Sequence, residues 1–65
     1  MKKAPKYGTM VQAKKDIVVG TTVIPKGTAG KAFYPDDCDV NVHWDFAYGV
    51  ICWVNIGDIR KYDQN

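Results

Sequence analysis

The chain contains no glutamate; all seven of its acidic residues are aspartates. It has one histidine, His43, and two cysteines, Cys38 and Cys52, with no Cys-x-x-Cys pair. A zinc site needs more ligands than these readily supply. The acidic cluster Asp36, Asp37 and Asp39 lacks the glycine and the distal bidentate glutamate of an EF-hand loop, so it reads as a solvated acidic turn. No metal and no cofactor are therefore expected. No stretch approaches the roughly 20 apolar residues of a membrane span. The basic start Met1–Lys3 is followed by no apolar run of useful length, so no secretory leader is expected. The expectation is a reduced, soluble, cytoplasmic protein with two free thiols. Net charge is small too: the formal value is +2, which draws no anionic partner strongly.

What is present is an ordinary globular composition, with 46% hydrophobic and 25% charged residues, so neither disorder nor a fibrous repeat fits. A chain of 65 residues makes one small domain with a thin core. Little room remains for a deep pocket and the shell that would hold a catalytic group. Residues 1–7, with three lysines and Pro5, read as a basic flexible tail; residues 8–62 read as the folded domain, and 63–65 as a polar end.

The pattern is that of strands. Thr9–Lys14 alternates and predicts a first strand, with Val11 and Ala13 on one side. Ile17–Ile24 is too β-branched and too short for a helix, and Gly20 interrupts it; it reads as an irregular excursion with a short strand at Thr22–Ile24. Pro25-Lys26-Gly27 predicts a tight turn. Thr28–Tyr34 is the second full strand, in which Gly30 suggests a bulge or sharp bend. Pro35–Cys38 turns the chain. Asp39–Trp44 and Gly49–Val54 are the third and fourth strands, Asn55–Asp58 a short 3₁₀ turn, and Ile59–Tyr62 the fifth strand.

One hairpin can be checked against itself. Opposing Trp44 to Val50 sets Val42 against Cys52 and Val40 against Val54, so these six apolar residues share the core face. The same register puts His43 against Ile51 and Asn41 against Trp53 on the other face. A slip of one residue on one strand breaks the match.

The run Ile24-Pro25-Lys26-Gly27-Thr28-Ala29-Gly30-Lys31-Ala32 resembles the Pro-x-Gly-x-x-Gly-x-Val entry into the second strand of SH3-like barrels. KOW-type modules and the small barrel subunits of photosynthetic electron-transfer complexes share it. Val40-Asn41-Val42-His43-Trp44-Asp45 resembles their Val-x-Val-x-aromatic-Asp third strand, and Val54–Ile59 their final turn and strand. The resemblance spans about Gly8 to Tyr62. It implies an all-β fold: a five-stranded SH3-like barrel with one short 3₁₀ turn before the last strand. Ala32 stands where such barrels carry a bulkier aliphatic residue, which predicts a looser core there. The loop residues by which peptide-binding SH3 domains hold Pro-rich ligands are not recognisable, so no such site is carried over. This fold hosts many unrelated activities, so function must come from the site.

Catalytic chemistry finds little support. His43 has only Asp45 near it on the same predicted face, Cys52 is predicted inward, and Cys38 reads as a small turn residue. Gly27-Thr28-Ala29-Gly30-Lys31 lacks phosphate-loop spacing and a following helix. The expectation is not an enzyme. The outward face is the stronger lead: Trp53, Ile51, His43 and Asn41, with Phe46 and Tyr48 at the hairpin tip. Tryptophan and tyrosine are enriched at contact hot spots. A non-catalytic module contacting a protein partner, or a second copy of itself, is expected. Size alone adds the idea of a small inhibitor, of the kind phages encode, or an accessory subunit. The alternative is nucleic-acid binding through Lys14, Lys15, Lys26 and Lys31, with aromatic rings stacking on bases.

Overall fold

The computed structural model describes residues 3–46 and 49–62. The fold over these residues is all-β. Strands β1 (Met10–Ala13), β4 (Ala29–Pro35), β5 (Asp39–Trp44), β6 (Ile51–Asn55) and β7 (Ile59–Lys61) form one antiparallel sheet in the order β6-β5-β4-β1-β7. Strands β2 (Ile17–Val19) and β3 (Thr22–Ile24) form a separate two-stranded ribbon. A 3₁₀ turn, Ile56–Asp58, joins β6 to β7; the Asn55 side chain accepts a hydrogen bond from the Gly57 N–H at 2.8 Å. The hydrogen-bonded ladder does not close: β6 and β7 are the edges of the sheet.

Alternation of side chains explains the core. Val11 and Ala13 of β1, Ile17 of β2, Ile24 of β3, Ala32 of β4, Val40, Val42 and Trp44 of β5, Val54 of β6 and Ile59 of β7 are buried in one cluster. Every strand contributes to it. The expected β5–β6 register holds: Val40 pairs with Val54, Val42 with Cys52, Asn41 with Trp53 and His43 with Ile51, and the Trp44 N–H donates to the Val50 carbonyl at 2.7 Å. Trp44 is 1% exposed. Its indole Nε1 is buried with no hydrogen-bond partner among the described residues.

Two expectations are corrected. Ile17–Val19 is a strand, not part of an irregular excursion: Ile17 pairs with Ile24, Val18 with Val23 and Val19 with Thr22. Gly20 lies at φ 61°, the positive value that primed two-residue turns require, so the glycine makes the hairpin instead of breaking the strand. Second, Gly30 marks close packing. A Cβ there would meet Val42 Cγ1 at 2.8 Å and Trp44 Cε3 at 2.9 Å. The register shift of β4 falls between Ala32 and Pro35, where Phe33 and Tyr34 together face Asn41. Ala32 is fully buried opposite Val42.

The Pro25–Thr28 turn is closed by the Thr28 N–H donating to the Pro25 carbonyl at 3.1 Å. Gly27 takes φ 92° at its third position, as a type II turn demands. The Asp16 carboxylate accepts from the Lys26 N–H at 2.8 Å and ties the ribbon's entrance to this turn. Within the segment read as a tail, Pro5 is buried, and just after it the Gly8 N–H donates to the Ala32 carbonyl at 2.7 Å.

Candidate outward contact face

Residues that alternate with the core line the opposite side of the large sheet. The pairing Met10–Lys31, Lys31–His43 and His43–Ile51 draws one row across β1, β4, β5 and β6. The next row holds Phe33 and Tyr34, Asn41 and Trp53. The Trp44–Val50 bond fixes the alternation of β5 with β6. His43–Ile51 and Asn41–Trp53 are therefore non-hydrogen-bonded pairs, the closer of the two kinds.

The aromatic rings of this face touch. His43 and Phe33 lie with centroids 3.9 Å apart. Tyr7 meets Phe33 edge-on at 5.1 Å and Tyr34 at 5.5 Å. Lys31 Nζ lies 5.8 Å from the centre of the Phe33 ring. Trp53 is 55% exposed and Ile51 56% exposed. Tyr7 lies against Phe33 and Tyr34 and is itself 60% exposed. The face thus carries a half-covered aromatic stack beside an uncovered Trp–Ile pair.

The sequence-derived set divides. Trp53, Ile51, His43 and Asn41 come together on this face. Phe46 is partly buried against the core, and Tyr48 lies outside the described residues. Tyr7, Phe33, Tyr34 and Met10 were missed as members. Phe33 was legible from its two-residue step beyond Lys31; Tyr34 was not, because the bulge that turns it here has no local signal.

Of the four lysines of the nucleic-acid alternative, Lys14, Lys15 and Lys26 lie where the end of β1 meets the Pro25–Thr28 turn, the Gly27 N–H donating to the Ala13 carbonyl at 2.9 Å. Lys14 and Lys15 follow β1, where Lys15 Nζ lies 3.2 Å from Asp58 Oδ1 and the Lys14 N–H donates to the Asp58 carbonyl at 2.8 Å. Lys26 sits in the turn held by Asp16. Only Lys31 of the four belongs to the aromatic face. Cys38 is exposed and Cys52 half-buried, both as free thiols. Among the described residues no group of three or more metal-ligating side chains converges, and no helix is long and apolar enough to cross a membrane.

Comparison of the chain with protein-family models, with curated proteins and with solved structures finds no match.

Proposed function

We propose that this protein is a non-catalytic binding module on an SH3-like barrel scaffold, which contacts a protein partner through the outer face of β5 and β6, as a small inhibitor or accessory subunit. The scaffold reading is supported by the strand order β6-β5-β4-β1-β7, the ribbon inserted between β1 and β4, and the 3₁₀ turn before β7. The functional reading rests on one observation: Trp53 and Ile51 stand side by side on β6, each more than half exposed, on the side away from the core. Exposed apolar surface of this kind marks contact sites, and a tryptophan there buries a large area at low entropic cost.

The test is a comparison of the parent chain and Trp53→Ala as baits in affinity purification from native host extract, followed by titration of the partner recovered. The variant is expected to bind more weakly by about 2 kcal/mol or more. Equal binding by both contradicts the reading. A second reading, single-stranded nucleic acid stacked on Phe33, His43 and Trp53, is favoured by the position of Lys31 beside the Phe33 ring. It requires salt-dependent binding to RNA or DNA that weakens in Lys31→Ala; titration without salt dependence removes it.

A further inference from the structure

We propose that β6 is a strand-addition edge whose occupant is a second copy of this chain, the two β6 strands pairing antiparallel about Trp53. The inference rests on the reading of the Trp53 face as a contact surface, and it names the partner.

The backbone supplies the first argument. Bonded pairs of β5 and β6 fall at Trp44–Val50 and, two residues on each time, at Val42–Cys52 and Val40–Val54. The N–H and C=O groups of Ile51, Trp53 and Asn55 therefore point away from β5. Among the described residues no strand pairs with that side of β6.

Composition supplies the second. Soluble proteins guard sheet edges with lysine, proline, bulges or very short strands. The other edge, β7, is three residues long and carries Arg60 and Lys61. The β6 edge is Ile-Cys-Trp-Val-Asn, with no charge, no proline and no glycine. In a chain of net charge +2, two copies meeting at β7 would oppose like charges. Two copies meeting at β6 would not. The uncharged edge is thus the one that admits another copy.

Register supplies the third. A two-fold axis at Trp53 sets Trp53 against Trp53 of the second copy, and Ile51 against its Asn55, with the reciprocal pair completing the ladder. All of these are positions whose backbone groups point outward, so every pair is a bonded one. A shift of one residue opposes outward-pointing to inward-pointing positions and breaks the ladder. Such an interface is isologous and closes at two copies. It joins the two large sheets edge to edge and brings the two Trp53 side chains together on one continuous face. Under this proposal, association through strands this short is reversible, with dimer forming between micromolar and millimolar chain.

Sedimentation equilibrium of the full chain tests this, with hydrogen exchange read residue by residue. The apparent mass is expected to rise with concentration from 7.3 kDa to twice that value. The Ile51, Trp53 and Asn55 amides should gain protection over the same range. Trp53→Lys and Ile51→Lys should stay monomeric, with melting curves like the dilute parent's. A parent that stays monomeric at millimolar concentration overturns the proposal. So does a dimer that survives both lysine variants, or one whose formation leaves those three amides exchanging freely. Should a lysine variant fail to fold, exchange in the parent decides. A monomeric parent whose Trp53→Ala variant still loses a captured partner overturns the self-pairing and leaves the contact face standing. A Trp53→Ala change that alters neither capture nor mass overturns both.

Discussion

At the scale of single residues, the two tryptophans show how strand parity assigns chemistry. Trp44 fills the core against Gly30, and Trp53 stands outside. Trp44→Ala is expected to cost about 3–5 kcal/mol, enough to unfold much of a domain this small. Trp44→Phe should cost far less, because it also removes an indole N–H that is buried without a partner among the described residues, a burden of about 1–3 kcal/mol. Urea titration of both variants checks the order; equal losses contradict it. Gly30→Ala should destabilise by about 1–3 kcal/mol, since its methyl would overlap Val42 and Trp44. An unchanged urea midpoint would contradict that packing. Trp53→Ala, by contrast, should change stability by no more than about 0.5 kcal/mol. The opposed fates of the two tryptophans were legible in the sequence because Asp39–Trp44 alternates cleanly and matching its apolar face to the facing strand sets Trp53 opposite Asn41. The role of Gly30 was not, because a glycine in a strand looks the same whether it bends the chain or makes room for a distant indole.

At the scale of elements, legibility followed the strength of the alternation. Asp39–Trp44 has the bounds expected, and its partner register follows from matching two apolar faces. The ribbon was half read. Its inward pair, Ile17 and Ile24, and its outward pair, Val18 and Val23, are equally apolar, so no alternation of polarity betrays the first strand. The bulge in β4 was invisible for a related reason: Phe33 and Tyr34 are both aromatic, and only pairing with β5 shows that they share one opposing residue. The ribbon is tied to the rest through Asp16. Asp16→Ala should lower stability by about 1 kcal/mol and speed exchange of the Lys26 amide, whose hydrogen bond it removes. Unaltered exchange at Lys26 would show that the tie carries no weight.

At the scale of the whole molecule, the fold spends its apolar residues on two surfaces. One is the cluster to which every strand contributes. The other is the outer face, where Tyr7, Phe33, His43, Ile51 and Trp53 lie together although they come from separate stretches of the chain. The β5–β6 half of that face followed from one hairpin register. The Tyr7–Phe33 half did not, because Tyr7 is brought to it by the non-local hydrogen bonds that join Gly8 and Thr9 to Ala32. The most direct measurement of the central claim is acrylamide quenching of Trp53 fluorescence in the Trp44→Phe chain. It is read first in the dilute monomer and then in the assembly that forms with concentration or with a captured partner. Trp53 should be open to the quencher when dilute and shielded in the assembly. A Trp53 already shielded in the dilute chain, or equally open in the assembly, would contradict the account.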